Sequence, residues 1–125
     1  MQRYLLVALG GALGSMLRYA IGSAASHRYG QRFPVGTFII NIAACFLIGL
    51  SVEYLNRHLN LDPGWRFLIP VGFIGGFSTF STFEWEIFTD LTAGAFWIAT
   101  AYLTASIIIG LAAVGLGSST ARLLR

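Results

Sequence analysis

Residues 72–86 read GFIGGFSTFSTFEWE, a helix-weakening, hydroxyl-rich stretch inside an otherwise apolar run. That run, from about Trp65 to Asp90, is long enough to cross a bilayer as a helix, which takes about 20 residues. Pro70, Gly72, Gly75 and Gly76 loosen a helix here, while Ser78, Thr79, Ser81 and Thr82 can satisfy the backbone groups that a break would release. Broken helices at membrane depth survive only where they line a cavity or are buried in protein, and they often build ion sites. Phe77, Phe80 and Phe83 share one helical face. Core packing or lipid exposure accounts for such a row in most proteins. Ring edges carry partial positive charge, however, so edge-on phenylalanines can also favour an anion.

Outward from this stretch the chain keeps its apolar character. Of 125 residues, 56% are hydrophobic and 10% charged, and the mean hydropathy is +0.73. This composition places the protein in a membrane. The length holds four spans, expected at about 4–26, 35–56, 65–90 and 94–118, as one all-α transmembrane domain. Gly30 with Pro34, and Asp62-Pro63-Gly64, mark the first two turns. A small-residue site at Ser23-Ala24-Ala25 resembles signal-peptide cleavage, but Arg18 interrupts the apolar run, so the segment is expected to stay as the first span.

All eight basic residues are arginines, and all but Arg18 fall near expected span ends. The net charge of +3 therefore reads as membrane anchoring, not as a nucleic-acid footprint. Arginines 3, 57, 66, 122 and 125 belong to one side and 28 and 32 to the other, which mildly favours cytoplasmic termini. The single cysteine, Cys45, excludes an internal disulfide and reads as a small packed hydrophobe. No nucleophile, base or metal cluster appears at catalytic spacing, so an enzyme is not expected. Four packed helices leave no lumen, so a pore or carrier would require a second copy.

Within the spans the polar residues are few. Gly10, Gly14, Arg18 and Gly22 form a four-residue stripe, which reads as a packing seam; Arg18, well inside a span, can instead draw in anions. Asn41 is the strongly polar side chain between Thr37 and Ser51, available as interhelical glue or as a donor to a ligand. Tyr102, Ser106 and Gly110 line one face of the fourth span, where the hydroxyls can pass a dehydrated anion along. Glu84 and Asp90 are expected in solvent, and Glu86 is placed to pair with an arginine. Trp65, Trp85 and Trp97 suit the membrane interface, and His27 and His58 lie in loops.

GGALGSMLRY at 10–19, GTFIIN at 36–41, GFIGGFSTFSTF at 72–83 and Tyr102 with Ser106 together resemble the Fluc family of small fluoride channels, across all four spans. The resemblance implies an antiparallel, dual-topology homodimer in a bacterial-type inner (plasma) membrane, with a broken third helix, two fluoride pathways and passive fluoride efflux that lowers cytoplasmic fluoride. By that similarity Phe80 and Phe83 present ring edges to fluoride, Asn41 donates a hydrogen bond, Ser81 and Thr82 add hydroxyls, and Tyr102 and Ser106 form a polar track. Gly75 and Ser78 would give backbone carbonyls to a central Na+, two from each subunit, with Arg18 and Glu86 near the vestibules. The family often carries threonine in place of Ser78, glycine in place of Ala44 and a small polar residue in place of Glu84. A proton-coupled small multidrug transporter is the nearest alternative, but it needs a carboxylate in the first span, where this chain has Arg18. A non-transporting membrane scaffold subunit would leave Asn41 and the phenylalanine row without a role.

Overall fold

The computed structural model describes residues 1–29 and 34–124; the expected turn at Gly30, and Arg32 and Arg125, lie outside the described residues. Four helical stretches are long and apolar enough to cross a membrane: 2–28, 35–57, 64–92 and 96–123. They are built from α1 (Gln2–Tyr29), α2 (Val35–Arg57), a composite third span, and α6 (Phe96–Leu123). The third span starts as α3 (Gly64–Arg66), widens into a π-helical segment (Phe67–Ile74), tightens again as α4 (Gly75–Phe77), and resumes as α5 (Phe80–Thr92). Pro70 lies inside the π segment. Lacking an N–H, it cannot close an ordinary turn on Arg66, and the wider turn absorbs the mismatch.

Two glycine seams set the packing. A Cβ on Gly10 or Gly14 would fall inside the backbone of Leu68 or Phe73, so α1 and the third span lie in direct backbone contact and run in the same direction. A Cβ on Gly49 would meet the Val114 carbonyl and one on Gly117 the Phe46 carbonyl, which joins α2 and α6 in the same way. These two pairings carry the most extensive packing in the fold. In lipid, helices gain nothing from leaving water, so van der Waals contact of this closeness is what holds them together.

Between the two pairs sits a core of Ile40, Ala44, Ile74 and Phe77. A second cluster, Phe83, Ile87, Ala99 and Tyr102, packs with Phe38 where α5 meets α6 and α2. The turn into α6 is closed by Gly94 at φ +77°. Its amide donates to Leu91 O at 3.1 Å and that of Ala95 to Asp90 O at 2.8 Å, a Schellman closure that satisfies the last carbonyls of α5. Cys45 is half-buried, its sulfur 3.3 Å from where a Cβ on Gly110 would stand.

Candidate functional site

Asn41, Ser78, Thr79 and Thr82 gather around one local event. Ser78 (φ −80°, ψ 160°) and Thr79 (φ −147°, ψ 116°) are extended between two helical pieces. Asn41 clasps the backbone there from both sides. Its Nδ2 donates to Thr79 O at 3.3 Å, and the Thr79 amide donates to its Oδ1 at 3.1 Å. The Thr79 side chain starts the next helix, its Oγ1 accepting from the Thr82 amide at 3.3 Å and donating to Thr82 Oγ1 at 3.0 Å. In an unbroken helix the Thr79 and Thr82 amides would close on the carbonyls of Gly75 and Ser78. Both amides are instead engaged by side chains, which releases those two carbonyls.

Gly75 is exposed, and Gly75, Ser78, Asn41 and Phe80 line one groove of about 350 Å³ together with Pro70, Cys45 and Thr79. Neutral carbonyl oxygens are suitable ligands for a hard monovalent cation, as in potassium-selective filters. One chain brings two such oxygens, too few to enclose an ion.

Phe80 is 74% exposed and Phe83 only 7%. Their rings lie 6.2 Å apart, and Phe83 meets Tyr102 edge-on at 5.0 Å and 69°. Tyr102 is fully buried, with its hydroxyl donating to Glu86 Oε2 at 2.9 Å. Thr37 Oγ1 donates to Glu86 Oε1 at 2.6 Å. Hydroxyls from α2 and α6 thus hold both oxygens of Glu86, where the sequence suggested an arginine. Glu86 faces a cavity of about 360 Å³ that it shares with Thr37, Ser26, Trp85, Thr89 and Asp90. Asp90 is drawn inward rather than left in solvent: its Oδ2 is buried and has no hydrogen-bond partner among the described residues. Glu84 is exposed.

About two turns of α6 separate Tyr102 from Gly110 at the ends of this face. Ser106, one turn beyond Tyr102, carries a buried hydroxyl without a partner among the described residues, and such orphaned donors are rare enough to require an explanation. Ser81 and Thr82 are exposed on α5, and Arg18 is half-buried on α1 beyond the glycine seam, in neither the groove nor the cavity. Thr79 is the residue that the sequence under-reported. A threonine three residues before Thr82, at the head of an apolar-periodic run, is an N-cap signal.

A family described as "CrcB-like protein, Camphor Resistance (CrcB)" matches residues 5–118. The chain is 47% identical over 120 residues to a protein named fluoride-specific ion channel FluC from Solibacter usitatus, covering 96% of this chain and 98% of the relative. It is 50% identical over 115 residues to the FluC of Acidobacterium capsulatum, covering 92% of both. With the FluC of Chloroflexus aurantiacus the identity is 42% over 122 residues, covering 98% of this chain and 97% of the relative. A match spanning all four helices makes this multi-pass membrane protein a member of the CrcB family.

Proposed function

We propose that the protein is a fluoride-selective channel that lets fluoride leave the cell passively, through two pathways in an antiparallel homodimer of the bacterial plasma membrane. The observation that carries this reading is identity of 42–50% along nearly the whole chain to proteins named fluoride-specific ion channels. The geometry adds support. Fluoride is small and strongly hydrated, so a pathway must offer many donors and positive edges in place of water. Phe80 and Phe83 offer ring edges, Ser106 an unspent hydroxyl, and Asn41 the second hydrogen of its Nδ2. Tyr102, Ser81 and Thr82 continue the polar lining, and Glu86, with Arg18 further off, belongs to the vestibules.

In this reading the third helix is functionally broken at Ser78 and Thr79. The second chain lies antiparallel across the open groove, and the carbonyls of Gly75 and Ser78 from both chains would hold a structural Na+, which would supply a fixed positive charge; the chain supplies the oxygens and the clasp that keeps them free.

Reconstitution in liposomes tests the proposal. Fluoride-loaded vesicles should empty rapidly to an ion-selective electrode, while chloride-loaded vesicles hold their content and no proton movement accompanies drug addition. Absence of fluoride release from a verified, folded dimer would overturn it.

A further inference from the structure

Two neighbouring rows of α1 face the third span. Gly10 and Gly14 press on the backbone at Leu68, Phe73 and Phe77. Gly11, in the adjoining row, lies so close to Gly76 that a Cβ on Gly76 would stand 2.6 Å from the Gly11 carbonyl. Ser15 follows Gly11 by one turn, and its Oγ donates to Gly76 O at 3.4 Å, a long bond that orients the carbonyl more than it anchors it. The direction of this hydroxyl sets it apart. Serines and threonines in helices often bond back to a carbonyl of their own preceding turn, as Ser51, Thr89, Thr92 and Thr120 do. Ser15 bonds instead to another span, 61 residues away. What it meets there is a carbonyl that the break uncovers. In continuous helix Gly76 O accepts from the Phe80 amide; with Ser78 and Thr79 extended, that amide is carried away. The Ser78 amide still closes on Ile74 O at 3.0 Å, so Gly75 and Gly76 carry the next two carbonyls beyond the intact ladder. The two are treated differently: Gly75 lines the groove with Asn41, Ser78 and Phe80, whereas the Gly76 carbonyl is taken by α1.

We propose that Ser15 is a positioning residue for the interruption: by turning the Gly76 carbonyl toward α1 it opposes closure on the Phe80 amide and leaves Gly75 as the carbonyl presented to the groove. Asn41 holds the Thr79 backbone from α2 and Ser15 reaches Gly76 from α1, so the broken segment is braced by both of its neighbours. A side chain that only filled the α1 seam could be alanine without consequence.

Nuclear magnetic resonance of the purified full-length protein in micelles tests it, with glycine labelled at its carbonyl carbon and phenylalanine at its amide nitrogen. This labelling selects the Gly-Phe pairs of the chain, Gly72-Phe73 and Gly76-Phe77, so Gly72 is a control within the same seam. In Ser15→Ala the Gly76 carbonyl resonance should move while that of Gly72 stays in place, and Ser15→Thr, which restores a hydroxyl, should bring it most of the way back. Fluoride efflux from liposomes should fall roughly threefold in Ser15→Ala, the effect of an average interhelical hydrogen bond in a membrane, and recover in Ser15→Thr. A Gly76 resonance unmoved in Ser15→Ala, or moved as far in Ser15→Thr, would overturn the proposal. So would equal displacement of Gly72, the mark of a general loosening of the seam. The efflux arm rests on the channel reading and the carbonyl resonance does not, so a parent protein without efflux would refute that reading while the resonance still decides the role of Ser15.

Discussion

Replacing Asn41 with alanine removes both halves of the clasp on Thr79, the bond to Thr79 O at 3.3 Å and that from the Thr79 amide at 3.1 Å. Interhelical side-chain hydrogen bonds in membranes contribute about 0.6 kcal/mol on average and up to about 1.7, so two of them give roughly 1–3 kcal/mol. The freed amide has one nearby alternative, the carbonyl of Gly75, and taking it would rewind the interruption into continuous helix. The loss in stability should therefore fall near the middle of the range, about 2 kcal/mol, or roughly 30-fold in the unfolding equilibrium. Function should suffer more, because rewinding would withdraw one of the carbonyls that the proposed sodium site requires. Titration with sodium dodecyl sulfate in mixed micelles measures the first effect and fluoride efflux from liposomes the second. An Asn41→Ala variant with the parent's unfolding midpoint and full flux would refute the idea that this side chain holds the backbone open.

Phe80→Ile and Phe83→Ile should each lower fluoride flux by roughly twofold to tenfold, matching 0.5–1.5 kcal/mol per aromatic edge, while cross-linking still yields dimer; unchanged flux in both would remove the aromatic mechanism. Tyr102→Phe leaves Glu86 Oε2 without its 2.9 Å donor and should cost about 1 kcal/mol in the same detergent titration, with a several-fold drop in efflux. Gly117→Ala drives a methyl into the Phe46 backbone and should destabilise by about 1–3 kcal/mol, seen as an earlier unfolding midpoint. Purification and reconstitution with N-methylglucammonium in place of sodium should lower activity and dimer stability together, and full activity through repeated exchange would remove the sodium site.

Hydropathy made the four spans legible, since lipid demands about 20 apolar residues at each crossing whatever the tertiary packing. The glycine stripe of the first span was legible too: Gly10 and Gly14 do meet another backbone. The sequence did not say which one, because periodicity identifies a face and not its partner. The weakness around residues 72–82 could be read from Pro70, the glycines and the hydroxyls. The clasp of Asn41 on Thr79 could not, since 38 residues separate them and either hydroxyl neighbour was as good a partner on paper. Glu86 misled for a physical reason. A carboxylate in a span calls for a donor, and arginine is the obvious one, but two hydroxyls, one from α2 and one from α6, meet the same demand.

Both glycine seams join spans that are not neighbours along the chain, and this sets a schedule for the ribosome. Gly10 waits for Gly72, a delay of roughly 3–12 s at about 5–20 residues per second. Through that interval α1 is in the bilayer with its seam bare, and α2 lacks its most extensive partner until α6 follows. A nascent chain of which only α1 has left the ribosome should cross-link α1 to lipid or to insertion machinery, and one carrying a C-terminal tether long enough to release residue 80 into the membrane should not. The close packing that makes the finished protein rigid thus leaves its biosynthetic intermediates dependent on protection by their surroundings.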